Sequence, residues 1–237
     1  MKPVLVFRHS PTEGPGYFAT FLDRHGIGWR LVKLDEGEPV PASAGGFAGL
    51  AFMGGPMSVN DDLPWIPPAL DLIRDAVRRR VPVIGHCLGG QLLSKALGGT
   101  VGPNPVKEIG WCRVELEPSP LAREWLALDA PAFTTFQWHG ETFTLPPGGE
   151  RILRGEHCAN QAYVVDGLHL GMQCHVEMTP ELIQSWCESG AEEVAESRSS
   201  PAVQPVERMQ AEMGERLPVL SDVADRLYSR WTRGLAT

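Results

Sequence analysis

Long apolar runs are missing from this sequence. The apolar stretch nearest the N-terminus covers only residues 4–7 and ends at Arg8. The apolar core of a signal peptide has about 7 to 15 residues, and a membrane-spanning helix needs about 20. We therefore expect no secretory leader and no membrane segment, and the sequence predicts a cytoplasmic protein that does not bind membranes.

Cysteine pairs are also missing. The five cysteines are odd in number, and no two of them form a Cys-x-x-Cys motif. Such a set predicts neither a disulfide framework nor a zinc knuckle. At least one thiol is therefore a candidate for chemical reactivity.

The sequence also has no excess of positive charge. The 21 lysines and arginines are outnumbered by 29 acidic residues, which gives a formal net charge of -8. The basic cluster at residues 78–80 follows a predicted helix, where cations interact favourably with the helix dipole. Because an acidic chain does not attract phosphate backbones, we expect no nucleic acid partner.

What the sequence does have is the composition of a globular protein and an alternating pattern of strands and helices. Hydrophobic residues make up 43% of the 237 residues, enough to bury one sizeable core. Apolar faces at residues 17–22 and 70–77 predict helices between short β-rich runs, which indicates a parallel sheet. The predicted strands of this part are residues 4–7, 29–34, 50–53 and 81–84.

The pattern becomes rich in strands after residue 99. Apolar and polar residues alternate at 112–116, and the runs 161–165 and 168–172 flank Asp166-Gly167, which is typical of a hairpin turn. We expect a mixed sheet or an added β-layer there.

The C-terminal part has a different composition. From residue 191 it is rich in Glu, Ser, Arg and Pro, and residues 197–205 are typical of a linker. We predict a main domain at 1–190 and a helical extension at 191–237. Apolar residues recur in the extension at helical spacing and predict a face that docks on the chain's own domain, with docking on a partner as the alternative. They are Leu217, Leu220, Val223, Leu227 and Trp231.

Residues 81–91 place a cysteine at the junction of a predicted strand and helix. Glycines at 85 and 89 flank Cys87 and let the strand and helix pass each other without Cβ clashes, as in a nucleophile elbow. The positive end of the helix dipole favours a thiolate, and the amide of Leu88 is placed to donate to an oxyanion. An isolated cysteine would more often be a small buried hydrophobe, but this spacing favours a nucleophile.

A cysteine nucleophile requires a base, and the base requires a group that orients it. His175 and Glu177 follow an apolar run and are two residues apart, so their side chains lie on the same side of an extended chain. Thr179 and Pro180 then suit the N-cap and first position of a helix. The pattern predicts that Glu177 orients His175.

Four ordered motifs within residues 3–188 resemble those of class I (triad-type) glutamine amidotransferases. They are Gly-Gly-Pro at 54–56, Gly-x-Cys-x-Gly-x-Gln at 85–91, His-Gly-Glu at 139–141 and His-x-Glu at 175–177. The resemblance implies a flavodoxin-like α/β fold with a central, mostly parallel sheet, flanking helices and an added β-layer. It also implies a catalytic triad at the carboxyl ends of the strands, formed by Cys87, His175 and Glu177.

The resemblance also implies a substrate pocket. Gly55 is expected to supply the second oxyanion donor beside Leu88, and Gln91 is expected to help hold the substrate. Residues 137–141 resemble the segment that reads the α-amino and α-carboxylate groups, although Glu141 stands where the GMP-synthase-like branch often has Asp. The pocket residues expected from this segment are Trp138, His139 and Gly140.

The implied activity is hydrolysis of the side-chain amide of glutamine, or of a γ-glutamyl compound, through a γ-glutamyl thioester and without metal or organic cofactor. Residues 108–111 resemble a Glu-Ile-Gly-Trp signature of stand-alone members of the GMP-synthase-like group. Three alternatives stay open: a glutaminase that delivers ammonia to a separate synthetase subunit, a stand-alone hydrolase of γ-glutamyl peptides or amides, and a non-catalytic binding protein on the same fold. A complete triad argues against the last.

Overall fold

The computed structural model describes residues 2–235. It contains one ten-stranded sheet with helices on both faces. The strands are β1 (Val4–Arg8), β2 (Trp29–Lys33), β3 (Gly49–Phe52), β4 (Val83–His86), β5 (Val101–Leu116), β6 (Ala132–Phe143), β7 (Gly149–Gly155), β8 (Ala162–Val165), β9 (His169–Met172) and β10 (Ala202–Val203). The helices are α1 (Gly16–Arg24), α2 (Ile66–Arg78), α3 (Leu88–Ala96), α4 (Pro120–Leu126), α5 (Pro180–Ser189), α6 (Ala191–Glu196), α7 (Val206–Ala211) and α8 (Met213–Thr232).

The parallel part of the sheet has the order β2-β1-β3-β4-β9. This is the order of flavodoxin-like folds, and it confirms the predicted architecture. Strand β1 shows how the layers form, because its side chains alternate between the two faces. Val4 and Val6 belong to the apolar cluster beneath α1 and α8, whereas Leu5 and Phe7 belong to the cluster beneath α2 and α3.

The predicted strand-rich part extends the same sheet. Strands β9, β8, β7 and β5 are neighbours in antiparallel pairs, and β6 pairs with β5 beyond the main path. The turn between β8 and β9 falls at Asp166 and Gly167, whose φ values are 53° and 63°. Positive φ at both central residues is the geometry that favours Asp-Gly in tight hairpins.

The C-terminal residues pack against the rest of the chain. The segment 197–205, predicted to be a linker, contains β10, which pairs in parallel with β5. Helix α8 packs on α1 and α4, and it buries most of the predicted apolar face, including Leu227 and Trp231, while Leu217 is partly buried. We propose that the chain divides into a domain of residues 1–190 and an extension of residues 191–237, and that the described part of the extension, residues 191–235, docks on that domain.

No helix within residues 2–235 is both long and apolar enough to cross a membrane.

Candidate active site

Cys87 lies at a strained strand-to-helix turn. Strand β4 ends at His86, helix α3 begins at Leu88, and Cys87 between them has φ 48° and ψ -104°, a conformation that non-glycine residues rarely adopt. A Cβ atom on Gly85 would overlap the backbone of Gly89, and one on Gly89 would overlap the carbonyl of Phe52. The two glycines are therefore required by the close passage of α3 over the strands.

The Cys87 thiol faces a cavity at the carboxyl ends of the parallel strands. Cys87 is only 6% exposed, and it occupies the N-cap of α3, where the free amides and the dipole favour a negative charge. Gln173 Nε2 lies 3.4 Å from the sulfur. The side chain is thus accessible from one side, and a hydrogen-bond donor lies beside its sulfur.

His175 and Glu177 form a buried pair three and five residues after the end of β9. The backbone of His175 bridges to Phe136 of β6, which fixes its position across the sheet. His175 Nδ1 lies 2.6 Å from Glu177 Oε1, and both side chains are at most 2% exposed. The ring is therefore oriented by the carboxylate, and its Nε2 has no hydrogen-bond partner within residues 2–235.

The electrostatics of this pair favour an imidazolium and a carboxylate. Burial lowers the pKa of His175, but the negative charges of Glu177 and Cys87 outweigh it and hold the pKa well above its usual value. Burial raises the pKa of Glu177, but the charge of His175 and its hydrogen bond to the carboxylate outweigh burial and lower that pKa to about 2. The arrangement can therefore accept, hold and return a proton beside Cys87.

The two amides expected to bind an oxyanion come from neighbouring segments. Gly55 follows β3, and a Cβ atom on it would lie 2.8 Å from Leu88 Cδ2. The Leu88 amide is in the first turn of α3, where amides have no intrahelical acceptor. His9 Nδ1 holds the loop through a 3.2 Å contact with the Gly54 carbonyl, and burial lowers the pKa of His9 to about 4, which keeps its ring neutral near pH 7.

The cavity has a volume of 480 Å³, which lies within the usual range for small-molecule sites. Six of the predicted site residues line it: Gly55, Cys87, Gln91, Trp138, His139 and Gly140. The other three, Leu88, His175 and Glu177, are almost fully buried and do not line it. The predicted catalytic histidine and glutamate thus lie beneath the cavity surface.

Gln91 belongs to a short hydrogen-bond chain that ends at Cys87. Its Nε2 lies 3.3 Å from the Glu141 carbonyl oxygen and 3.2 Å from Gln173 Oε1, and Gln173 in turn reaches the sulfur. Sequence reasoning missed Gln173, although its position two residues before His175 on extended chain was a usable signal.

His139 has both ring nitrogens engaged. Nδ1 lies 3.0 Å from the Glu141 carbonyl oxygen, and Nε2 lies 2.9 Å from Glu108 Oε2. Glu108, which belongs to the Glu-Ile-Gly-Trp signature, also accepts a hydrogen bond from Gln161. These contacts fix His139 in the wall of the cavity and leave neither of its ring nitrogens free to act as a base.

The same group includes a third potential ligand for a metal ion. Glu108, His139 and Cys158 have donor atoms within 4.8 Å of one another. Cys158 Sγ is also 3.2 Å from Thr142 Oγ1. Hydrogen bonds thus account for all three side chains, of which His139 lines the cavity and Glu108 and Cys158 lie behind it.

Trp138 and Glu13 complete the cavity from opposite segments. Trp138 Nε1 donates to Glu193 Oε2 at 2.8 Å. Glu13, in the loop after β1, also lines the cavity, and sequence reasoning missed it because no pattern surrounds it.

The fold is a flavodoxin-like α/β sheet that carries a cysteine at a strand-to-helix turn, with a buried histidine-glutamate pair beneath it. The family model for class-I glutamine amidotransferase matches residues 24–188, and the chain belongs to that family. The similarity covers most of the sequence that forms the sheet and the cavity.

The similarity to individual relatives covers the whole chain in one case and part of it in others. A glutamine amidotransferase of known structure from Methylobacillus flagellatus is 48% identical, with a TM-score of 0.97 over 100% of this chain and 96% of that one. The glutamine amidotransferase-like protein YfeJ of Salmonella typhimurium is 28% identical over 218 residues, 88% of this chain and 91% of its own length. A protein of Sulfurisphaera tokodaii, named as one subunit of a glutamine-hydrolysing GMP synthase, is 34% identical over 131 residues, 54% of this chain and 66% of its own.

Proposed function

We propose that this protein hydrolyses the side-chain amide of glutamine, or of another γ-glutamyl compound, through a thioester on Cys87. The observation that carries the proposal is the position of Cys87 at the N-terminus of α3, facing a cavity, with His175 and Glu177 paired beneath it. Family membership makes glutamine the first substrate to consider.

In the first half of the reaction, the Cys87 thiolate attacks the amide carbon and forms the sulfur-carbon bond. The amides of Leu88 and Gly55 stabilise the oxyanion that develops on the carbonyl oxygen. His175, held as an imidazolium by Glu177, gives its proton to the leaving nitrogen, the carbon-nitrogen bond breaks, and ammonia or an amine departs.

In the second half, water attacks the thioester. His175, now neutral, takes a proton from the water, and the carbon-sulfur bond breaks to release the acid and restore the thiolate. We propose that Gln91, Trp138, His139 and Gly140 form the surface against which the α-amino and α-carboxylate ends of the substrate bind. These residues line the wall of the cavity beside Cys87. The chemistry requires no metal or organic cofactor.

The proposal is tested by measuring glutamate release from glutamine and from a panel of γ-glutamyl amides. We expect turnover by the purified chain to fall to background in Cys87→Ala. Cys112→Ala is the matched control, because Cys112 is another free thiol and does not line the cavity. Equal turnover by Cys87→Ala and the wild type would overturn the proposal.

A second candidate is an ammonia-supplying subunit that acts with a separate synthetase. The observation in its favour is the 34% identity to a protein named as a subunit of a glutamine-hydrolysing GMP synthase. This candidate predicts weak turnover by the isolated chain, ready alkylation of Cys87 by a glutamine-like affinity label, and co-purification of a synthetase. Full turnover without a partner favours the stand-alone hydrolase.

A further inference from the structure

Glu13 is a carboxyl group in the cavity that the proposed mechanism does not use. It lies in the loop between β1 and α1 and lines the same cavity as Cys87. A Cβ atom on Gly54 would lie 2.6 Å from Glu13 Oε2 and 3.3 Å from His175 Cε1. The carboxyl group and the edge of the imidazole therefore flank the same point above Gly54.

The carboxyl group has no partner of its own in the protein. No side-chain hydrogen bond to Glu13 is present within residues 2–235, and the surrounding protein, by removing water, raises the pKa of Glu13 to about 7. The charge of His175 lowers this pKa and that of Glu177 raises it again. Glu13 is half-buried at the cavity, and a carboxylate with reduced access to water is stabilised by a cation beside it.

The position of Glu13 assigns it to the leaving-group side of the cavity. His175 is the residue that protonates the leaving nitrogen, so that nitrogen must lie on the His175 side of Cys87. Trp186 fixes the wall on this side. Its Nε1 donates to the Thr12 carbonyl oxygen at 2.9 Å, and its ring is edge-on to the His175 ring with the two centroids 4.8 Å apart. A group attached to the leaving nitrogen would therefore meet the loop that carries Glu13.

The rest of the lining also favours a cation over an anion. Among the described residues that line the cavity, Glu13, Glu141 and Glu193 are acidic, and Lys107 is the one lysine or arginine. Lys107 is already paired with Glu193 at 2.5 Å. The indoles of Trp138 and Trp186 add aromatic surface, which attracts cations.

We propose that Glu13 forms a cation subsite, and that the preferred substrates are γ-glutamyl amides whose leaving amine carries a second, protonated amino group. This inference rests on the proposed function for the bond that is cleaved. As with glutamine, the sulfur-carbon bond to Cys87 forms and the carbon-nitrogen bond of the amide breaks. The diamine departs after its leaving nitrogen has accepted the proton from His175. Glu13 takes no part in bond making and is a specificity residue.

The experiment compares three amides of equal length that differ only at the end of the leaving amine. The leaving groups are 1,4-diaminobutane, pentylamine and 5-aminopentanoate, which end in a cation, a methyl group and a carboxylate. We expect the wild-type protein to have a kcat/KM at least about tenfold higher for the cationic amide than for the neutral one, as one charge-assisted hydrogen bond provides. The anionic amide should be the poorest.

Glu13→Gln removes the charge and keeps the shape of the side chain. We expect the ratio of the cationic to the neutral amide to collapse towards one in this variant. Glu188→Gln is the matched control, because Glu188 is an exposed residue of α5 outside the cavity lining, and it should keep the wild-type ratio. A wild-type ratio of one, or a preference for the carboxylate, would overturn the subsite.

Two further outcomes distinguish the cation subsite from an action of Glu13 on His175 and from a failure of the proposed function. If Glu13→Gln lowers kcat equally for all three amides and shifts the pH profile, Glu13 acts on His175, and the cation subsite is wrong. If neither glutamine nor any of the three amides is turned over, the proposed hydrolysis by the isolated chain fails, and binding of 1,4-diaminobutane by calorimetry still tests the subsite. Binding that is lost in Glu13→Gln supports it, and binding that is absent or unchanged refutes it.

Discussion

His86 Nε2 lies 3.0 Å from the hydroxyl group of Tyr228. The contact joins the last residue of β4, which immediately precedes Cys87, to the C-terminal part of helix α8. Both side chains are fully buried, and burial lowers the pKa of His86 and raises the pKa of Tyr228 well above its usual value. A neutral imidazole and a neutral phenol thus link α8 to the turn that carries the proposed nucleophile.

Replacing Tyr228 with phenylalanine should leave His86 without this partner. We expect Tyr228→Phe to lower the free energy of unfolding by about 1 to 3 kcal/mol, because a buried polar group loses its hydrogen bond. Tyr17→Phe is the control, since the Tyr17 hydroxyl donates to Asp225 at 3.0 Å in a partly exposed position. Urea denaturation followed by circular dichroism measures both, and equal losses would contradict the structural importance of the buried contact.

A methyl group at Gly89 should disrupt the elbow. Its Cβ atom would overlap the Phe52 carbonyl oxygen, and a clash with backbone cannot be relieved by a change of side-chain rotamer. We expect Gly89→Ala to cost about 2 to 4 kcal/mol of stability or to prevent folding. Gly28→Ala, where a Cβ atom would meet nothing within 4 Å, should stay within about 0.5 kcal/mol of the wild type. Similar melting curves for the two variants would refute the steric argument.

The elbow and the buried pair could be predicted from the sequence because both are local. Gly85 and Gly89 are two residues from Cys87, and His175 and Glu177 are two residues apart, so spacing alone sets their geometry. The alternation of apolar runs and helical faces predicted a parallel sheet, and the resemblance of the motifs implied the flavodoxin-like fold.

The remaining contacts depend on the sheet register and could not be predicted. Glu108 meets His139 only because β5 and β6 pair those two positions directly, and neither residue carries a local signal for the other. Strand β10 is two residues long, too short to show a periodic pattern within residues that are otherwise typical of a linker. The position of Glu13 likewise depends on where its loop crosses the cavity.

Glu177→Gln should change the response of the fold to acid. The pKa of Glu177 in the folded state, about 2, lies below its unfolded value, so this group stabilises the fold above about pH 4.5 and the effect is lost as the pH falls towards 2. The pKa of His175 is raised, so its contribution is complete below its unfolded value of about 6.5 and is lost as the pH rises through the folded value. We expect the variant to lose less stability than the wild type between pH 5 and 3.

The same variant should be catalytically poor at every pH. An imidazole without its orienting carboxylate loses its tautomer and position, and we expect kcat to fall on the order of 10²- to 10⁴-fold. Urea titrations across the acid range and rates of glutamate release provide the two readouts, with Glu188→Gln as the control. An unchanged acid response together with an unchanged rate would show that Glu177 does not act on His175.

The stability linked to Glu13 should depend on pH with the opposite sign to that linked to Glu177. Its folded pKa of about 7 lies above the ordinary value of 4.5, so the folded state binds more protons than the unfolded state between these values. Stability linked to this group is therefore present below about pH 4.5 and is lost as the pH rises towards 7. We expect Glu13→Gln to flatten that decline in thermal unfolding scans, and an identical decline in both proteins would contradict the raised pKa.

The covalent intermediate is the most direct test of the proposed mechanism. The purified protein is mixed with a γ-glutamyl substrate that it turns over, quenched in acid within milliseconds to seconds and digested, and the modified peptide is located by mass spectrometry. We predict a γ-glutamyl thioester on the peptide that contains Cys87, removable by hydroxylamine and missing in Cys87→Ala. Continued turnover with no adduct on Cys87, and at the same rate in Cys87→Ala, would contradict the mechanism.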